Sequence, residues 1–226
     1  MTTDSSDPKY QPGDAPGPAG WDDDVIISED THRENRIPPG QTRTRKWPVL
    51  HASTVPRVSL DDWTFEVRGL VKNPFKVTWD EFQQLPRVKV FADFHCVTTW
   101  SRLGNLWEGV SIKALLEKAE PLPEAKFVVA EGYDFGWTTN LPLADLDDAD
   151  VLVADRHDGE PIDADHGGPL RLIVPKLYAW KSAKWLKAIE LTASNQPGFW
   201  EKGGYHDHGD PWVVSSQHPD GERFRR

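Results

Sequence analysis

The apolar residues of this chain fall into many short runs separated by turn signals, and that pattern limits its fold class more than any other feature. Trp63-Thr-Phe-Glu-Val-Arg68 alternates apolar and polar residues, as a half-buried strand does. Lys72-Asn73-Pro74 reads as a turn, and Phe75-Lys-Val-Thr-Trp79 alternates again, so the two runs predict a hairpin. Thr78 followed by Glu81 is a capping box that opens a short helix ending before Pro86. Val88, Val90, Ala92, Phe94 and Cys96 share one face of a further strand, which would deliver Cys96 into a loop from Val97 to Asn105. Ile112, Leu115, Leu116 and Ala119 mark one face of a helix capped by Ser111. Phe127–Ala130, Val151–Ala154, Leu170–Val174 and Trp185–Leu191 read as four more strands, with Arg156–Glu160 a turn after the second. Short strands with a few short helices predict an α+β fold rather than a doubly wound parallel sheet. No glycine-rich phosphate loop follows a strand, which argues against a classical nucleotide site.

At 226 residues the chain suits one large mixed domain with an extension. Residues 1–40 are rich in Pro, Gly and Asp and read as a flexible arm. Within the arm, Val25, Ile26 and Ile27 form an apolar cluster able to dock as a short strand. The domain proper is expected over 41–226, with its folded body starting near Lys46-Trp47-Pro48. A net charge of −10 argues against nucleic acid and anionic membrane as partners. No apolar run approaches the roughly twenty residues of a membrane span, so no membrane insertion is expected. The opening residues lack the basic and apolar regions of a secretory signal, which makes the cytoplasm the expected location.

A single cysteine excludes an internal disulfide and any all-cysteine zinc site. Cys96 sits at a strand end beside His95, Thr98, Thr99, Ser101 and Arg102, polar and cationic neighbours that favour the thiolate, a ligand for soft or high-valent metals. His166-Gly-Gly-Pro-Leu-Arg171 and Lys181-Ser-Ala-Lys-Trp185 concentrate cations in an otherwise acidic chain, and Arg and Lys are the residues that hold phosphates. Both motifs are also compatible with surface charge on edge strands. His206-Asp207-His208 could bind zinc, but pinning a loop suits so few ligands better. Ser101 and Ser182 are candidate nucleophiles without a Gly-x-Ser-x-Gly elbow. Cys96 itself could act as a nucleophile, with His95 or His51 as base.

Together, Asp93-Phe-His-Cys-Val-Thr-Thr-Trp-Ser-Arg102 and Leu106-Trp-Glu-Gly-Val110 resemble the metal-binding stretch of the sulfite oxidase family of molybdopterin proteins. The Cys-Val-x-x-Trp-Ser form is most similar to the bacterial branch that includes a periplasmic methionine-sulfoxide reductase catalytic subunit. His166–Pro175 and Lys181–Leu186 resemble the family's two cofactor-tail segments, and Trp47-Pro-Val-Leu-His51 the segment leading into the pterin site. The likeness runs from about residue 37 to about 212. It implies a mixed, mainly-β molybdopterin-binding fold and a molybdenum cofactor with one pterin per chain. Cys96 would be the protein's ligand to the metal. His166, Arg171, Ser182 and Lys184 would grip the pterin and its phosphate, with His51 on the pterin's other side and Lys181 adding charge. The cofactor carries the hard chemistry in such a protein, so no catalytic triad is required.

The implied activity is two-electron oxygen-atom transfer on a small sulfite-, sulfoxide- or N-oxide-like substrate; a non-catalytic pterin-binding module or carrier is the alternative. The vertebrate enzyme binds its anionic substrate through arginines near the metal cysteine and before the leading histidine. Here those regions offer Ser101 and Arg102, one step displaced, and Val49, so the substrate and direction stay open. Arg102 is the candidate substrate contact, and Trp100 and Trp107 are candidate pocket walls. Without a haem domain, electrons are expected to pass through a separate, unidentified carrier.

Overall fold

The structure is a computed structural model that describes residues 24–52 and 54–225. Two sheets account for its strands. The first gathers seven: β1 (Val25–Ile27), β2 (Thr42–Thr44), β5 (Val88–Cys96), β6 (Trp100–Ser111), β9 (Leu152–His157), β10 (Glu160–Pro161) and β11 (Arg171–Ile173). The second gathers five: β3 (Thr64–Gly69), β4 (Phe75–Thr78), β7 (Phe127–Gly132), β8 (Thr138–Pro142) and β12 (Leu186–Thr192). The described residues also form three short α-helices, α1 (Trp79–Gln83), α2 (Ile112–Ala119) and α3 (Phe199–Lys202), and three single 3-10 turns. The architecture is therefore α+β and dominated by its sheets. Among the described residues no helix is long and apolar enough to cross a membrane.

Local chemistry explains most element ends. The β3–β4 hairpin pairs Thr64 with Thr78 and Val67 with Phe75. The Thr78 hydroxyl accepts from the Glu81 amide, and the Glu81 carboxylate accepts from the Thr78 amide, so the capping box closes both ways. Ser111 holds the N-cap position of α2 without a side-chain cap bond, and the helix is held instead by burial of Ile112, Leu115, Leu116 and Ala119.

Buried apolar residues form three clusters, a small one of Cys96, Val97, Tyr178 and Trp180 and two larger ones set by strand alternation. Trp63, Phe65, Val128, Leu141, Val153, Leu172 and Leu186 belong to the core between the sheets, which α2 also covers. Val90, Ala92, Phe94, Trp107, Ala154 and Ile173 fill a second cluster on the other face of the first sheet, under Ile26 and Trp47. Leu172 lies in one core and Ile173 in the other, so Arg171, one step before Leu172, shares the face of Ile173. By the same rule Cys96 follows Phe94 on that face. The site residues therefore converge because of strand periodicity.

Two expectations change. The stretch from Val97 to Asn105 is not a loop: Thr99, at φ 74°, makes a tight turn and β6 begins at Trp100, pairing back on β5 with Cys96 opposite Trp100. The polar run Ser101-Arg102 hid this strand, because its side chains find buried partners on the sheet. The folded body also begins earlier than Lys46. β1 docks parallel to β5, β2 docks parallel to β6, and Arg36 pairs with the buried carboxylate of Asp93 at 2.6 Å. Of the expected arm, residues 1–23 lie outside the described residues.

Candidate functional site

Cys96 opens onto a cavity of about 190 Å³. Segments far apart in sequence bring the lining together: the leading stretch Trp47–Ala52, the end of β5 with the turn after it, Asp134 and Trp137 between β7 and β8, the two cationic motifs around β11 and β12, and Trp200 with Tyr205. The cationic motifs are stitched to each other by backbone bonds. The Leu172 amide donates to the Ala183 carbonyl, Trp185 to Gly167, and Leu186 to Leu170. Gly167, at φ +104°, makes the approach possible, since a Cβ there would meet the Lys184 Cβ at 2.7 Å. Aromatic rings supply much of the wall, including Trp100, Trp137, Trp180, Trp185, Trp200 and Tyr205.

The polar groups are few and pointed. Thr98 Oγ1 donates to Cys96 Sγ at 3.2 Å. Burial pushes the Cys96 thiol up, and the Thr98 hydrogen bond and the charges of Arg171 and Lys184 only partly oppose it. The thiolate expected from the polar neighbours is therefore not favoured by the chain alone, because β5 sinks the sulfur deeper than its neighbours suggest. A metal would remove the proton outright.

Arg171 is 2% exposed. It donates from Nη1 to the His166 carbonyl at 2.6 Å and from Nη2 to the Ser182 carbonyl at 3.1 Å, while its buried Nε has no hydrogen-bond partner. Its guanidinium lies over the rings of Phe94 and Trp47, at 5.2 and 5.5 Å. Burial pulls Arg171 down to about 9, offset in part by Cys96 and Asp163, so it remains charged at neutral pH. Lys184 Nζ donates to the Asp165 carbonyl at 2.6 Å. Burial first, then the charge of Arg171, pull Lys184 down to about 7. Among the described residues neither cation makes an ion pair.

The other expected site residues divide. His51 lines the cavity with its ring 5.8 Å from that of Trp185. Ser182 also lines it, but its hydroxyl is taken by the Val174 amide at 3.0 Å. His166 stands behind the wall. Its ring stacks on Trp47 at 4.0 Å, Nδ1 faces the Asp163 carboxylate at 2.9 Å, and Nε2 faces the Trp47 carbonyl at 2.9 Å. It thus sets the position of Trp47 and, through its own carbonyl, of Arg171. Lys181 is not a cofactor cation: it is fully buried, with Nζ 2.7 Å from Glu201 Oε1, and it donates to the carbonyls of Asn140 and Asp207.

Arg102 likewise turns away from the cavity. Its guanidinium pairs with Asp158 at 2.6 Å and meets Asn105 and His157. Strand alternation does not cause this, since Arg102 lies two residues from Trp100 and opposite Phe94; the carboxylate of Asp158 and the polar groups of Asn105 and His157 draw the guanidinium away. Trp100 lines the cavity, whereas Trp107 is core, edge-on to Trp47. Among the described residues no cluster of three or more His, Cys, Asp or Glu gathers to hold a metal. In the His206–His208 loop, His208 is instead clamped between Asp145 and Glu222. Ser101 Oγ sits 2.8 Å from His95 Nδ1, but both are buried away from the cavity lining. Thr98, Trp47, Asp134 and Trp137 are part of the site although the sequence does not single them out as ligands. Thr98 carried a usable signal, a hydroxyl two residues past the cysteine.

The donor set fits a metal-bearing anionic cofactor. A soft sulfur lines the same cavity as two cations that make no ion pair among the described residues, and a buried guanidinium N–H has no hydrogen-bond partner. Such a charge is costly to bury unless a ligand answers it. The comparisons with known proteins agree. Residues 51–200 match the family described as the oxidoreductase molybdopterin binding domain. The uncharacterized oxidoreductase YuiH of Bacillus subtilis is 46% identical over 181 residues, covering 80% of this chain and 91% of its own length. A putative protein-methionine-sulfoxide reductase subunit, YedZ1 of Azospira oryzae, is 30% identical and covers 67% of this chain and 57% of its own. A nitrate reductase [NADPH] of Fusarium oxysporum is 33% identical over 64% of this chain, which spans only 19% of that larger protein. The sulfane dehydrogenase SoxCD of Paracoccus pantotrophus superposes with a TM-score of 0.60 at 26% identity, over 64% of this chain and 42% of its own. Fold, donor set and matched range lead to one conclusion: the chain belongs to the molybdopterin-binding oxidoreductases of the sulfite oxidase type, and is a molybdenum-cofactor enzyme.

Proposed function

We propose that this oxidoreductase carries out two-electron oxygen-atom transfer on a small substrate, a sulfoxide, an N-oxide or a related oxyanion. The observation that carries the proposal is the gathering of Cys96 with two unpaired cations around one tryptophan-lined cavity. Bound there, the cofactor supplies a two-electron metal centre able to exchange an oxygen atom. The chain's own work is to hold, orient and shield it. Cys96 would ligate the metal. Arg171 and Lys184 would take the pterin phosphate, with the carbonyls of His166 and Ser182 fixing the direction of the Arg171 fork. His51 would close the pterin's other side. The aromatic walls would shield the bound group from water. The names of the relatives, a nitrate reductase, a methionine-sulfoxide reductase subunit and a sulfane dehydrogenase, support nitrogen or sulfur compounds as the substrate class. A separate electron carrier completes the turnover.

Chain purified from a host that makes the cofactor should contain close to one molybdenum per polypeptide. Cys96→Ser should abolish the absorption of the cysteine–metal bond while leaving the fold intact. Arg171→Ala should weaken cofactor retention by about 10- to 150-fold, the equivalent of about 1.5–3 kcal/mol for a charge-assisted contact. A panel of sulfoxides, N-oxides and sulfite with artificial electron donors and acceptors would identify the substrate. Protein that holds neither the metal nor the pterin would overturn the reading. Pterin without a redox-active metal would favour a carrier instead.

A further inference from the structure

The turn that carries Cys96 is held from outside the matched range 51–200. On one side, the Arg223 guanidinium donates from both Nε (3.1 Å) and Nη2 (2.8 Å) to the carbonyl of Val97, the residue directly after the cysteine. On the other side, the Thr42 amide donates to the Thr99 carbonyl at 2.9 Å. Between these two fixed carbonyls stands Thr98, whose hydroxyl donates to Cys96 Sγ. The turn is closed internally by the Thr99 amide on the Cys96 carbonyl at 2.9 Å, and it needs the left-handed φ of 74° at Thr99. A threonine in that region is strained and persists only where its surroundings hold it.

The segment bearing Arg223 is itself anchored on both sides. Before it, the Glu222 carboxylate faces His208 Nδ1 at 2.9 Å and accepts from the Asp210 amide at 3.0 Å. After it, the Arg225 amide donates to the Gly204 carbonyl at 2.9 Å, and Phe224 bridges to Tyr205, a cavity residue. A guanidinium fixed at both flanks presents its two N–H groups as a rigid fork.

We propose that Arg223 is a positioning residue for Cys96: by gripping the Val97 carbonyl it fixes the turn that aims the sulfur at the metal. The proposal rests on Cys96 as metal ligand, and the test separates the two. Full-length protein carrying its cofactor is compared with Arg223→Ala, Arg223→Lys and Arg225→Ala. Arg225 lies on the same tail, and among the described residues its guanidinium pairs with half-exposed Asp207 rather than with the Cys96 turn, so its loss controls for general loosening of the tail. The readouts are the cysteine–metal absorption band and amide hydrogen exchange of the Cys96–Trp100 turn.

In Arg223→Ala the turn should exchange at least tenfold faster and the band should shift, with the strands of the second sheet unaffected. Arg223→Lys, which restores one donor, should recover part of both, and Arg225→Ala should match the parent. Unchanged exchange in the turn after loss of Arg223, or equal changes in Arg225→Ala, would overturn the proposal. If Arg223→Ala does not fold, Arg223→Lys alone decides between the same outcomes. Absence of a cysteine–metal band in the parent would instead count against Cys96 as ligand, while hydrogen exchange would still judge Arg223.

Discussion

At the residue scale, the chain separates cations by their partners. Lys181 and Arg102 look in sequence like candidates for an anionic ligand, yet each is buried against a carboxylate of the chain itself. Among the described residues buried Arg171 and half-buried Lys184 make no such pair. Arg102→Ala should therefore act on folding: removing one partner of a largely buried pair costs about 3–5 kcal/mol. Urea unfolding should show that loss, with the KM of a working substrate unchanged. A raised KM at unaltered stability would return Arg102 to the site. That Cys96, Arg171 and Lys184 are candidate ligand residues was legible in the sequence, because a lone cysteine and two cationic motifs at a recognisable spacing point to them, and the fold gathers the three at one cavity. Which cations stay unpaired was not legible, since Glu201 and Asp158 become partners only through long-range folding. His166 shows the same limit: its role in stacking under Trp47 depends on contacts 119 residues away in sequence.

At the element scale, the strands whose alternation is strong were readable from pattern: β3 and β4, the Val88–Cys96 strand, and β7, β9, β11 and β12. β6 was not, because its polar residues are buried in partners rather than turned to solvent, which breaks the alternation. β8, Thr138–Pro142, was hidden for a similar reason, with Thr139 and Asn140 buried against Glu201 and Asn195. The tail from Pro197 has little periodicity, and its order comes from polar clamps. The principal one is His208, held between Asp145 at 3.0 Å and Glu222 at 2.9 Å. The Asp145 hydrogen bond, against some burial, raises His208 to about 9 from an ordinary 6.5. A group raised on folding lends stability that is complete below the ordinary value and is lost as pH climbs through the folded one. The share of the melting temperature owed to this clamp, read as the difference between the parent and His208→Asn, should thus fall between pH 6.5 and 9, while Lys184, lowered to about 7, pulls the parent's own curve the other way. His208→Asn should lower stability most at the acid end. His206, 3.4 Å from Glu222, shares the clamp and is pushed the opposite way, chiefly by burial, so the double variant tests which ring matters.

At the scale of the whole molecule, the two sheets make a rigid frame, and the site occupies the seam where the first sheet's outer face meets the leading stretch and the tail. Segments on either side of the matched range complete it, so the functional unit is larger than the shared domain. The frame also carries an unanswered charge. Arg171 is buried with Nε unbonded and, among the described residues, without an ion pair, and burial and the charge of Arg171 pull Lys184 down to about 7. A ligand that binds only the folded state stabilises it by mass action. Filling this seam should therefore do more than enable turnover: it should decide how long each newly made polypeptide survives. In a host starved of molybdate, pulse-labelled chains should be cleared by proteases sooner than in a replete one, so that supply of the element sets abundance. Equal half-lives in the two hosts would show that the frame tolerates the vacant charge unaided.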